Sequence, residues 1–560
     1  MKQVMRWGVP MLLAISLAAC GGGGGSGSSG EAPPEPPAPV GKAEASRFLQ
    51  QATFGPKLSE IEALAPVTGY DAWLEQQRLA PVSLQLPYLQ TLKANGENVY
   101  QNARMDIWWR NAVRGPDQLR QRMAFALSEI LVVSDQAGPL NNDVEGLGNY
   151  YDILARNALG NYRTLLEEVT LSIPMGRYLS MYQNQKPDRA SGLRADENYA
   201  REVMQLFTIG LVQLNLDGSE KKDSSGQAIP TYKQADVEGL ARVFTGFSHP
   251  HVRSDSGPWD FFYGAGSQDS TQPMEAWESF HDRSAKVIVG NSPIPAGLGA
   301  LAELRMALDV LFNHPNVGPF IGRQLIQRLV TSNPSPAYVQ RVATVFNDNG
   351  GGVRGDLYAV VRAILLDPEA RKGNVTMPDR FGKLREPLLR ATHVWRAFDA
   401  IGKNGRYDFW NPEYPLAQAP LRSPSVFNFF RPGFQPVALI GTTLSCPECQ
   451  ITNEASVTEL LNQVDSFAYH YRTSDGEGSP YYGDNAILLD FQPWESRVSN
   501  LELAGAIEDL DLVFTAGQLG PEFRGELLTY IKGRPQSEIG ERLYELVHLI
   551  TSSAQYAVQQ

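Results

Sequence analysis

Between residues 196 and 282 the chain concentrates side chains that can move protons or hold a cation. The first block reads Asp196-Glu197-Asn198-Tyr199-Ala200-Arg201-Glu202-Val203-Met204-Gln205. On a helix, Glu197 and Arg201 pair at four residues' spacing, with Asn198, Glu202 and Gln205 in a neighbouring polar row. A second block, Gln234-Ala235-Asp236-Val237-Glu238-Gly239-Leu240-Ala241-Arg242, repeats the mixture, and His281-Asp282 follow after a loop. Carboxylates and an imidazole from facing helices are what a bundle uses to hold a divalent ion or to run acid–base chemistry. Glu202, Asp236 and His281 are therefore the candidate catalytic groups, and Glu197, Arg201, Arg242 and Asp282 the candidate binding groups. The structural alternative uses the same residues: Glu197–Arg201 and Glu238–Arg242 as surface pairs, Asp236 as a helix cap, and His281 as a loop anchor. Binding without chemistry is the third reading.

Other motifs offer less. Gly350, Gly352 and Gly355 have the G-x-G-x-x-G spacing, but the segment before them has a helical period, so the strand–turn–helix of a dinucleotide site is missing. Ser219-Glu220-Lys221-Lys222 fits S-x-x-K only inside a polar turn-rich stretch. There is no G-x-S-x-G, H-E-x-x-H or Walker loop.

The elements that must position these groups are mostly helices. Apolar residues recur at three- and four-residue spacing over 118–133, 150–159, 163–171, 198–211, 237–244, 301–312, 317–329, 337–346 and 357–366, and helix returns over 457–470 and 501–552. Asp196 is placed to cap the helix that follows it. Residues 210–232 alternate and carry two turn pairs, Asp217-Gly218 and Ser225-Gly226, which predict a small β-hairpin insertion. Residues 404–450 are rich in Pro, Phe and Tyr without a period and predict a packed irregular segment. The expected fold is mainly α: a large, bundle-like helical body spanning 42–560.

The N-terminal region reads differently. Lys2 and Arg6 precede a short apolar run, and Leu17-Ala18-Ala19-Cys20 offers small residues at an exit, the layout of a signal peptide over 1–19. The four residues ending at Cys20 resemble a lipobox, which makes Cys20 the expected lipidation site and membrane anchor. Gly21 in the following position leans toward the outer membrane. The Gly/Ser stretch and the Pro-rich stretch up to residue 41 read as a tether.

The chain carries a formal charge of −12, and loss of Lys2 and Arg6 with the signal makes it −14. That balance argues against nucleic acid as a partner. With Cys20 lipidated, only Cys446 and Cys449 remain, spaced C-P-E-C. In an oxidising compartment the expectation is one local disulfide. A redox pair or half a zinc site are the alternatives, without clear supporting context.

The Asp196–Gly210 and Tyr232–Phe247 blocks, with Leu119-Arg120-Gln121-Arg122-Met123-Ala124, residues 315–321 and Arg422-Ser423-Pro424-Ser425-Val426-Phe427-Asn428, resemble the exported bacterial family catalogued as domain of unknown function number 1800. The resemblance runs from about residue 45 to the C-terminus. It implies an exported protein without a settled activity. Its suggested partner is an exported protein of family number 1501, whose members look like sulfatase or alkaline-phosphatase relatives. Many members read Glu-Leu-His-Thr where this chain has Gln205-Leu206-Phe207-Thr208, so any metal role for that pair is lost here. The function expected is a structural, assembly or ligand-binding envelope lipoprotein. The alternative is a metal-assisted or acid–base envelope enzyme.

Overall fold

The computed structural model describes residues 39–251, 262–263, 269–477, 483–498 and 502–560. The signal segment, Cys20 and the tether through residue 38 lie outside the described residues. Helices dominate, joined by small sheets of two to four short strands. Among the described residues no helix is long and apolar enough to cross a membrane.

Two helices run through the centre. Every residue of Gln118–Ser128 and of Pro387–Ala397 is buried, polar ones included. Amphipathic helices surround them and turn one apolar face inward, as their periods predict. Gln101–Arg114 joins the second central helix through aromatic edges: Trp109 meets Trp395 at a centroid separation of 4.9 Å, and Trp108 meets Trp109 at 4.8 Å. Fully burying one large apolar side chain stabilises by about 1.5–3 kcal/mol, so this aromatic seam is a major tie between distant parts of the chain. Val317–Leu329 packs on both Pro336–Asn347 and Gln118–Ser128.

The stretch from 198 is helical only as Asn198–Gln205 and stops short of the expected 211, because Gly210 takes a left-handed φ of 70° on the way into the turn-rich excursion. The Asp196 carboxylate accepts from the Asn198 N–H at 2.8 Å, although Glu197 occupies the cap position itself. The excursion contains antiparallel bridges, Val212 with Pro230, Leu214 with Glu220 and Lys222 with Ala228, folded about the two predicted turn pairs. The region 404–450 is irregular apart from the short helix Glu413–Leu416 and two 3-10 turns, Val437–Leu439 and Pro447–Ile451.

Some elements have no clear periodic signal. A four-stranded sheet places Ile487–Asp490 between Ile401–Gly402, antiparallel to it, and Tyr471–Thr473, parallel to it. The C-terminal strand Val558–Gln559 pairs with Lys383–Leu384, with Gln559 opposite Lys383. The Gln559 amide also donates to the carbonyls of Leu329 and Val330 at 2.9 and 3.2 Å. The end of the chain thus fixes both the strand bearing Lys383 and the last turn of Val317–Leu329.

Candidate functional site

The side chains singled out in 197–282 divide into separate settings. Glu197 and Arg201 form an ion pair at 3.0 Å near the surface, and the Gln234 amide donates to the same Glu197 oxygen at 2.9 Å. Asp236 is buried in the first turn of Gln234–Val243, where its carboxylate accepts from the Lys233 N–H at 2.9 Å. Glu202 is buried with one carboxylate oxygen lacking a hydrogen-bond partner, and burial raises its pKa. Arg242 donates to Asp282 at 2.7 Å. Burial alone would raise the Asp282 carboxyl, but the hydrogen bond from Arg242 and those from Ser284 outweigh it and bring it to about 2.

His281 sits deepest. Its Nδ1 donates to the Thr245 carbonyl at 2.9 Å, and its Nε2 lies 3.3 Å from Glu303. Lys286 donates to the same Glu303 oxygen at 2.6 Å, and all three side chains are shut from solvent. Gly246 makes this possible: a Cβ there would meet the His281 backbone and side chain at 2.8–2.9 Å. Among the described residues no hydrogen bond or ion pair links any two of Glu202, Asp236 and His281. His281, Arg242 and Asp282 do share the lining of one polar hollow of about 580 Å³. Among the described residues no three His, Cys, Asp or Glu side chains are grouped to hold a metal ion.

A second cavity, of about 420 Å³, has a different character. Its walls are Leu206, Leu211, Phe320, Val426, Phe427 and Phe430, and its charged lining is Glu129, Arg323, Arg328 and Arg431. Pockets of a few hundred Å³ with apolar walls and few polar groups are the usual form of small-molecule sites. Gln324 and Gln327 also line it.

The floor is built from elements far apart in the chain. Glu129 follows the last turn of Gln118–Ser128, and Arg328 stands in the last turn of Val317–Leu329. Arg122 and Lys383 both donate to the Arg328 carbonyl, at 2.6 and 2.8 Å, where the end of a helix concentrates negative partial charge. Lys383 also bridges Glu386 at 3.1 Å and Glu448 at 3.0 Å. The Glu129 carboxyl accepts from Gln418 and Asn428, each at 3.2 Å, and its other oxygen is 3.4 Å from Arg328 Nε. Gln418 follows Ala417, and Ala417, Leu421 and Asn428 all have φ between 53° and 62°. Non-glycine residues held there cost about 1 kcal/mol each, and such conformations cluster at ligand sites.

Three acids and three cations thus share one buried space. Burial, then the charge of Glu386, pushes the Glu129 carboxyl up to about 8, against the pull of Arg328, Lys383 and Arg122. For Glu386 burial acts in the same direction, but Lys383 and then Arg122 outweigh it and hold it below the usual range. Glu129 accordingly keeps its proton at neutral pH, and burial also raises Glu448, against the pull of Lys383. Around it, Glu129 Oε2, Gln324 Nε2, Gln327 Oε1 and Arg328 Nε are buried without a hydrogen-bond partner. Buried polar atoms of this kind are costly unless something supplies the missing bonds.

A disulfide joins Cys446 to Cys449, with Cα atoms 5.3 Å apart. The residue between them that matters to the floor is Glu448, which the turn delivers to Lys383. Gln205 lines the cavity and accepts from the Tyr232 hydroxyl at 3.2 Å, whereas Phe207 is wholly buried beside Tyr199.

Fold and site together define a large, mainly helical protein built around an apolar cavity with a charged floor. The chain belongs to the family described as Protein of unknown function (DUF1800), whose model matches residues 47–558. No curated protein and no solved structure matches the chain.

Proposed function

We propose that this is an exported lipoprotein, held to the cell envelope through Cys20, whose helical body binds a small, largely apolar ligand in the 420 Å³ cavity. The observation that carries the binding half is the combination of apolar walls with unpartnered polar atoms on the residues of the floor. A core built for stability alone closes its voids and satisfies its polar groups. The anchor half rests on the lipobox-like Leu17–Cys20 run and the tether behind it, with an exported family-1501 protein as a candidate partner.

Binding is tested with the neutral fluorophore N-phenyl-1-naphthylamine and purified full-length protein. Saturable binding is expected, and it should be lost in Val426→Trp/Gly433→Trp, which adds bulk at two lining positions. A Cβ at Gly433 meets nothing within 4 Å, so the change is tolerable to the backbone. Absence of binding, or equal binding by a filled variant with an unchanged melting temperature, contradicts the reading. The anchor is tested by Cys20→Ser, which should release the protein from membranes or block its processing. Normal cleavage and retention would overturn it.

A further inference from the structure

We infer that the ligand of this cavity is a single-tailed amphipathic anion, its tail against Phe320, Phe427 and Phe430 and its head held by Arg323 and Arg328. This inference rests on the binding function proposed above and adds the charge and shape of the ligand. Four charged side chains line the cavity, and three are guanidinium groups. Arg323 forms no ion pair or hydrogen bond with a described residue, and the acid that acts on its charge is Glu220, from the turn-rich excursion. Arg431 stacks over the Phe427 ring at 5.4 Å and has no carboxylate partner among the described residues. Arg328 donates from its two Nη atoms to the carbonyls of Glu129, at 2.9 Å, and Gln324, at 3.4 Å, while its Nε, 3.4 Å from the Glu129 carboxyl, has no hydrogen bond.

The one acid among the lining residues does not cancel these charges. Its environment comprises Arg122 from its own helix, Arg328 with Gln324 and Gln327 from Val317–Leu329, and Lys383 with Glu386 from the strand and the following cap. Gln418, Asn428 and Glu448 complete it from the irregular segment. With Glu129 protonated, Arg122, Arg328 and Lys383 face two other acids: Glu386, held below the usual range by Lys383 and Arg122, and Glu448, pushed up by burial. The site then favours a bound negative charge, and a guanidinium in a partly dehydrated pocket is the side chain best suited to pair with a carboxylate or phosphate. A cationic ligand would meet three like charges. A neutral one would leave Arg323 with only the more distant charge of Glu220.

The test is displacement of N-phenyl-1-naphthylamine from the full-length protein by dodecanoate, dodecyl phosphate, dodecanol and dodecyltrimethylammonium, each below its micellar concentration. At least one of the two anions should bind about tenfold more tightly than dodecanol, the scale of one charge-assisted hydrogen bond. Whichever anion is tighter identifies the headgroup. Arg323→Gln should remove most of the advantage of the anion over dodecanol. Equal affinity for anion and alcohol, preference for the ammonium compound, or no effect of Arg323→Gln overturns the inference while the binding function stands. Failure of the fluorophore itself to bind removes the binding function instead.

Discussion

His281, Lys286 and Glu303 are as thoroughly buried as the acids and bases beneath the apolar cavity, yet the two groups solve the burial of charge differently. Around Glu303 one carboxylate oxygen takes the Lys286 ammonium at 2.6 Å and lies 3.3 Å from His281, while Lys286 also donates to the Ser284 carbonyl at 3.0 Å. The result ties the strand Lys286–Ile288 and the loop after Phe280 to the helix Ala300–Asn313. Beneath the cavity three acids and three cations crowd together, one acid keeps its proton, and the neighbouring space is apolar and open to a ligand. Burial of charge by itself therefore marks scaffolding as readily as function. Both clusters leave buried polar atoms without a hydrogen bond, His281 Nε2 and Glu303 Oε1 in the first, so a neutral carboxyl and an adjoining apolar cavity are the features that separate the second.

The largest expected effect breaks the first cluster. Glu303→Ala strands the buried Lys286 ammonium without its counter-charge and should cost about 3–5 kcal/mol in chemical denaturation, the scale for half-removed buried pairs. Fluorophore affinity at the cavity should not change in protein that remains folded. A loss of binding without a loss of stability would mean the two clusters are one functional unit.

An intermediate effect is expected at the disulfide. Cys446→Ser/Cys449→Ser opens a very small loop, so stability should fall by about 2 kcal/mol or less. Because the turn carries Glu448 onto Lys383, the same variant should weaken fluorophore binding. Unchanged binding would show that the floor holds its shape without the clip.

The smallest effect per step is a pH slope. Unfolded, Glu129 releases its proton near its ordinary value of 4.5, whereas in the native protein it keeps it to about 8. The native state therefore binds the extra proton across that window. Stability falls as pH rises through it, by about 1.4 kcal/mol per pH unit from this group, and levels off above it. Glu129→Gln should remove that part of the slope in denaturation measured from pH 5 to 9. An identical slope in the variant would mean Glu129 is ionised in the native state.

What the sequence made legible was local. Helical period identified Val317–Leu329 and Leu357–Leu366 at the ends the structure gives them, and turn chemistry at Asp217-Gly218 and Ser225-Gly226 marked the antiparallel excursion. Those signals act over a few residues and are written where they act. The cavity is written nowhere in one place. Gln205 and Leu206, Pro319 and Phe320, and Val426 and Phe427 come from three blocks that carried the family resemblance, and Arg122 beneath the floor comes from a fourth. No period or spacing announces that they meet. Glu202 drew attention as part of a polar row, and it lies one turn before Gln205, at the margin of the site. Glu129 carries no local signal, because what raises its carboxyl besides burial is Glu386, 257 positions away (386 − 129). The C-P-E-C pattern suggested a bond between its cysteines and gave no sign that the Glu inside it is the working residue.

The most direct test of the cavity as a ligand site is a crystal structure of the full-length protein grown with dodecanoate. One chain is expected between Phe320, Phe427 and Phe430, with its carboxylate about 3 Å from the guanidinium of Arg323 or Arg328. A cavity closed by its own side chains, or dodecanoate seated elsewhere with those guanidinium groups untouched, would contradict it.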